Sequence, residues 1–303
     1  MLSQAVGYAA TALGYVAAAG GKAVLVREVA EACARLGIPA FAPWRDQIAK
    51  TGLAEAAHRR GLRVTGHVPE GMDVLAAVAA GYDGVNHVTF LFGPLFARGE
   101  PQKLSREAFA RRLLDAEFDK GPLAQVIRTL AARKTVVDDT LALYELLGHT
   151  PEEQARREPG LAKVPPELRG LFDGARPEDA ARRAAIFKKY VELVGALHRA
   201  GVPVVAGTDI GVPGHSLHRE LELYVEAGFT PLAAIQAATR APARAMGLEQ
   251  EVGTIEVGKR ADLVIVAGDP LADIRNVRKI ERVVARGQMY EPAALWRIAG
   301  FTP

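Results

Sequence analysis

Three residues in this chain carry the types and positions from which hydrolytic chemistry can be built: His67, His87 and Asp209. Each closes an apolar or β-branched run. The runs are Arg63-Val64-Thr65-Gly66-His67, Gly84-Val85-Asn86-His87 and Val202-Pro203-Val204-Val205-Ala206-Gly207-Thr208-Asp209. Side chains that follow parallel strands gather over one end of the sheet. Two imidazoles and a carboxylate gathered there suit a divalent ion, zinc first, with open positions for water. Such an ion lowers the pKa of bound water to about 7 and polarises a carbonyl. Asp209 is then also the catalytic base, taking the proton of the attacking water. Against this stands the plain alternative that a histidine closing a strand is a hydrogen-bonded structural residue. No HExxH or other compact metal motif occurs.

The other histidines rank lower. His58 and His198 lie on helical stretches beside arginines, where a solvated face or the helix dipole accounts for them. His149 sits in a Gly-His-Thr-Pro turn. His215 and His218 follow Asp209 closely and are candidates to touch substrate, with capping of the next helix as the equal alternative. Substrate choice is expected to rest on loops at Phe90 to Phe96, Leu141 to Tyr144 and Gly211 to His218. No phosphate-binding glycine loop, serine nucleophile elbow or Cys–His pair is present.

The elements that must position these residues alternate. A fourth run, Lys134 to Leu141, joins the three above, and Ala-rich helical stretches lie between, at Asp73 to Ala80 and from about Ala180 to Arg199. Lys22 to Val26 and Ile38 to Phe41 are weaker strand candidates, with a helix at Glu28 to Leu36 between them. Strands alternating with helices predict parallel βα units in an α/β fold. An eight-unit TIM-type barrel, (β/α)8, needs eight strands. The reading finds too few and expects a barrel incomplete at its N-terminus, occupying residues 1–247. The charged, Pro-containing stretches Pro94 to Arg133 and Gly148 to Ala180 are expected to be helical insertions. After Gly247 the pattern changes to glycine turns and short strands, so residues 248–303 are expected to form a separate small β unit.

Composition excludes several classes. The 303 residues are 49 % hydrophobic and 24 % charged, with a net charge of only +3, which fits a globular chain and no basic stripe for nucleic acid. One cysteine, Cys33, excludes an internal disulfide framework and fits a reduced, cytoplasmic setting. The Ala- and Gly-rich first 20 residues lack a basic n-region, are too short and weakly apolar to span a membrane, and read as a packed helix.

From Thr208 to Tyr290 the sequence resembles the amidohydrolase superfamily, in particular its imidazolonepropionase-like and prolidase-type members. The matching residues are Gly207-Thr208-Asp209, Leu217-His218-Arg219-Glu220-Leu221, Glu226-Ala227-Gly228-Phe229-Thr230-Pro231, Ala241-Pro242-Ala243-Arg244-Ala245 and Gly253-Thr254-Ile255-Glu256-Val257-Gly258-Lys259-Arg260-Ala261-Asp262-Leu263, with Gly268-Asp269-Pro270-Leu271 closing the run. Upstream, Ala57 to His67 is similar to the family's fifth strand, Asn86-His87 to its sixth and Val137 to Leu141 to its seventh, with Asp139 where a proline is commoner. The resemblance implies a (β/α)8 barrel with a composite β-sandwich containing residues 248–291. It also implies a divalent metal, His67 and His87 as ligands, Asp209 as ligand and base, and hydrolysis of a C–N bond in a small-molecule substrate. The family's His-x-His pair is absent, and no lysine stands where binuclear members carry one, Lys22 and Lys50 being the nearest. The sequence therefore leaves two readings: a metal-dependent hydrolase, or a non-catalytic remnant acting as a binding or oligomer-forming module. Exposed sheet edges in an incomplete barrel would favour homo-oligomers.

Overall fold

The computed structural model describes residues 53–69, 72–97, 99–165, 174–209 and 211–302. The elements expected before residue 45, and Lys22, Cys33 and Lys50, lie outside them.

The four valine-bearing runs form one parallel sheet. Its strands are β1 (Thr65–Gly66), β2 (Gly84–Asn86), β3 (Val136–Asp138) and β4 (Val204–Val205), in the order β1-β2-β3-β4. Thr65 stands opposite Gly84, Val85 opposite Val137 and Asp138 opposite Val205. Val85 and Val137 are buried, as expected for strands covered on both faces. The regular strands are shorter than the runs that predicted them. His67 and His87 directly follow the last strand residues, the His87 and Val88 N–H groups still bonding to the Asp138 and Asp139 carbonyls, and Asp209 lies in the segment after Val205.

Helices cover the sheet and follow its strands in turn. They are α1 (Leu53–His58), α2 (Val74–Ala79), α3 (Arg106–Leu114), α4 (Gly121–Arg133), α5 (Leu141–Gly148), α6 (Pro151–Arg157) and α7 (Pro177–Arg199). After β4 come α8 (Ser216–Glu226), α9 (Pro231–Ala237) and α10 (Arg240–Ala245). The α2 helix starts where Asp73 accepts the Ala76 N–H at 2.8 Å. In α4, Leu123, Val126, Ile127 and Leu130 are buried, the spacing of one apolar stripe facing the core. The two insertions are helical as expected, containing α3 and α4, and α6 with a 3-10 turn at Pro159–Lys163. The expected loop from Phe90 to Phe96 is largely a 3-10 helix, Val88–Leu95. The expected loop at Leu141 to Tyr144 is instead the first turn of α5.

A buried ionic network ties α5, α6 and α8 together. Arg219 on α8 grips Glu145 on α5 with two donors, at 2.7 and 2.8 Å, and reaches Glu222 at 3.0 Å. Arg278 joins Glu222 at 2.6 Å and Glu158 at 3.1 Å, and Arg157 also reaches Glu145 at 3.1 Å. The bidentate geometry is what allows these charges to be taken out of water.

Towards the C-terminus, β5 (Leu263–Val266), β6 (Ile280–Ala285) and β7 (Gln288–Tyr290) form a separate antiparallel sheet, followed by α11 (Pro292–Ile298). Arg286 and Gly287, both with positive φ, make the tight turn between β6 and β7. None of the described helices is long and apolar enough to cross a membrane.

Replacing Arg219 leaves the buried carboxylate of Glu145 short of its main partner. Arg219→Met is expected to lower unfolding free energy by about 3–5 kcal/mol, read from urea denaturation; a loss below 1 kcal/mol would show that the network is solvated.

Candidate active site

The three strand-end residues come together. The Nε2 atoms of His67 and His87 face each other at 2.7 Å. The Asp209 carboxylate lies 3.6 Å from the same nitrogen of His87. His87 is buried, while His67 and Asp209 are exposed, so the group opens to solvent on one side. Phe90 packs against both rings, with centroid distances of 5.4 Å to His67 and 6.2 Å to His87.

The orientation of His87 follows from a short chain of hydrogen bonds. Its Nδ1 lies 2.9 Å from the Thr140 hydroxyl, and that hydroxyl donates to the Asp139 carbonyl at 2.8 Å. A threonine has one hydroxyl proton. With it spent on Asp139, Thr140 accepts from His87, so Nδ1 carries the ring proton and Nε2 presents its lone pair to His67 and Asp209. Burial lowers the His87 pKa first, with the nearby Asp209 charge opposing and His67 adding, which disfavours the charged ring.

Thr140 is free for this task because it does not cap its own helix. It precedes α5 with φ 55° and makes no side-chain cap bond. The first N–H groups of α5, those of Leu141 and Ala142, are taken instead by the buried Glu220 carboxylate of α8, at 3.0 and 2.6 Å. The Asp139 carboxyl is buried beside Glu220, and burial, together with their mutual repulsion at Asp139, pushes both carboxyls up. The Tyr224 hydroxyl donates to Asp139 at 3.2 Å.

Backbone strain gathers at the same place. His87, Thr140 and Asp209 adopt φ values of 68°, 55° and 40°. This left-handed region costs a residue with a Cβ of order 1–2 kcal/mol, and such strain collects at functional sites. Asp138, at the end of β3, is a further site carboxyl that sequence reasoning left without a role. Burial, then Glu220 and Asp209, push it up to about 7. Its carboxylate occupies the space where a Cβ on Gly207 would stand. Thr140 and Tyr224 also went unassigned; Tyr144 was expected only as part of a substrate-facing loop and Glu220 only as part of a matching motif, and the polar cluster Asp138-Asp139-Thr140 was the local signal for the rest.

His215 and His218 are placed otherwise. The His215 ring stacks on Trp296 of α11, with centroids 4.4 Å apart and planes at 10°, and its other face leaves no room for a side chain on Gly160. His218 lies close to Arg278 and Glu222 of the ionic network. Their documented contacts are thus with the C-terminal helix and the arginine–glutamate cluster. His198, expected as a helix-end cation, is stacked on Phe229 at 3.7 Å, and burial lowers its pKa. His58, expected to be solvated, pairs with Asp83 at 2.8 Å. His149 is buried with Nδ1 2.8 Å from the Glu145 carbonyl.

Among the described residues, no group of three or more His, Cys, Asp or Glu side chains is placed to hold a metal ion. The centre is the His67–His87 pair with Asp209 beside it. A cavity of about 650 Å³ opens elsewhere, against α7, lined by Phe118, Phe187, Lys188 and Val191 among others.

Comparison with known proteins places this geometry in context. The sequence matches the amidohydrolase family over residues 22–290. An ochratoxinase of Aspergillus niger is 26 % identical over 258 residues, which are 84 % of this chain and 43 % of that protein. An adenine deaminase of Roseobacter denitrificans is 41 % identical over 76 residues, 25 % of this chain and 12 % of the relative. The crystal structure of a Xaa-Pro dipeptidase with bound methionine aligns with a TM-score of 0.54 at 22 % identity, covering 82 % of this chain and 48 % of that one. The chain thus covers less than half the length of each of these three proteins. The α/β class expected from the sequence is the class observed, with four parallel strands among the described residues.

His215 and His218 are each lowered to about 4, chiefly by burial, against an ordinary 6.5. Between those values the unfolded chain binds more protons, so the stability they contribute is intact above pH 6.5 and lost as pH falls towards 4. His215→Phe, which keeps the stack on Trp296, is expected to make unfolding free energy less steep between pH 6.5 and 4; a pH profile parallel to wild type would refute the assignment.

Proposed function

The chain belongs to the amidohydrolase family, and from that premise we propose that it is a metal-dependent hydrolase cleaving the C–N bond of an amide, cyclic amide or dipeptide. The observation that carries this reading is the meeting of His67 Nε2 and His87 Nε2 at 2.7 Å, with Asp209 3.6 Å from His87. A neutral His67 can donate its Nε2 proton to His87. In its other tautomer both nitrogens carry lone pairs on the facing side. Two imidazole nitrogens and an adjacent carboxylate are donor types that suit a divalent ion, and the nitrogen-rich set favours zinc. His67, His87 and Asp209 would hold it. When bound, the ion supplies Lewis acidity to the scissile carbonyl and to water.

The chain's own residues supply the rest. Thr140 fixes the His87 tautomer, the outer-shell support that ligating histidines need. Asp209 accepts a proton from water as its oxygen adds to the carbonyl carbon. It then returns that proton to the leaving nitrogen as the C–N bond breaks, giving an amine and a carboxylic acid. Phe90 shields one side of the ring pair from bulk water. The substrate is a small molecule, admitted from the solvent side where His67 and Asp209 are exposed.

Zinc titration of metal-stripped protein, followed calorimetrically, and amine release from N-acyl amino acids, dipeptides and cyclic amides test this together. Bound zinc and turnover are expected; a folded protein that takes up no zinc and cuts none of these would overturn the reading in favour of a non-catalytic module. Thr140→Val is expected to weaken zinc about 10–100-fold. Asp209→Asn should lower kcat by about 10²–10⁴-fold.

A further inference from the structure

One hydroxyl proton beside His87 has no protein acceptor among the described residues. Tyr144 lies in the first turn of α5, four residues after Thr140, and both side chains reach the His87 ring. Thr140 takes the His87 ring at Nδ1, and the Tyr144 ring meets that imidazole edge-on, with centroids 6.3 Å apart and planes at 81°. The Tyr144 hydroxyl lies 3.0 Å from the hydroxyl of Thr89, two residues beyond His87. Two hydroxyls carry two protons, and a bond between them uses one. Among the described residues neither hydroxyl makes another hydrogen bond. The pair therefore keeps one unspent O–H, half-buried, on the His87 side of the centre. Tyr190 packs edge-on against Tyr144 at 5.6 Å, and Phe92 against Tyr190 at 5.4 Å, so the phenol is held in place.

We propose that Tyr144 is a catalytic residue whose hydroxyl, steadied by Thr89, donates to the substrate's scissile carbonyl oxygen. The pair places a donor next to the imidazole–carboxylate group, and the Tyr190 ring packed on Tyr144 keeps the phenol there. As the carbonyl carbon becomes tetrahedral, its oxygen gains negative charge, and a donor already in position stabilises that charge without reorganisation. Thr89 accepts the pair's internal bond in one arrangement and donates in the other, so it steadies the phenol without having to touch substrate. The inference rests on the hydrolase reading above.

The experiment compares zinc-loaded wild type, Tyr144→Phe and Thr89→Val on the best substrate of the amide and dipeptide panel, with methylphosphonate as a tetrahedral oxyanion probe. Tyr144→Phe is expected to lower kcat about 10²-fold, with KM within about threefold of wild type. Methylphosphonate affinity should fall about tenfold in this variant, while zinc affinity and the unfolding midpoint stay unchanged. Thr89→Val leaves the phenol its own proton to donate and is expected to keep kcat within about tenfold. If Tyr144→Phe keeps its kcat, or if the two variants lose activity equally, the tyrosine assignment is overturned while the hydrolase reading stands. A wild-type protein that is inert and takes up no zinc overturns the hydrolase reading, and the tyrosine role with it.

Discussion

The buried carboxylate of Glu220 organises the centre although it faces neither solvent nor the imidazole pair. It is fully enclosed, and taking a carboxylate out of water costs several kcal/mol unless hydrogen-bond donors replace the lost water. Two backbone N–H groups at the start of α5 do so. The consequences run in sequence. With α5 capped from α8, Thr140 need not cap it and turns into left-handed backbone. Its hydroxyl then reaches His87, and one turn later Tyr144 arrives beside the same ring. A bond between two helices thus sets the tautomer of a histidine that neither helix carries.

Much of this was legible in the sequence, and the limits of legibility have physical causes. A parallel sheet buried on both faces produces valine-rich runs, and polar residues at their ends stand out against them; this is why His67, His87 and Asp209 could be read as one group. Pairing ends before the apolar runs do, because the chain curls away to place those side chains, so strand length was overestimated. Leu141 to Tyr144 read as a loop because the helix it begins has no cap nearby. The cap comes from Glu220, 79 residues from Leu141. His215 read as a substrate contact because it follows Asp209 closely. Its partner, Trp296, belongs to a helix near the other end of the described chain, and no local pattern joins the two. The motif Leu217-His218-Arg219-Glu220-Leu221 was recognisable as a pattern, but only the fold shows that Arg219 and Glu220 do separate tasks, one binding helices together and the other capping one.

The centre is also where the fold concentrates its unfavourable terms. Left-handed backbone at His87, Thr140 and Asp209 and the raised carboxyls of Asp138 and Asp139 all lie within the same few strand ends. Elsewhere charge is neutralised in pairs, as in the Arg219 and Arg278 network. That network holds α5 and α8 together, and so maintains the relation between the helices on which the strained segment depends.

The contact between Gly207 and Asp138 has a consequence for the family's history. Any Cβ at position 207 would overlap the carboxylate of Asp138. The two positions are therefore not free to vary singly. A lineage that acquires a side chain at 207 must first or simultaneously shrink residue 138, and one that keeps the acid must keep the glycine. Across homologous sequences the pair should change together, and ancestors bridging the two states should carry a small neutral residue at 138 before the glycine is lost.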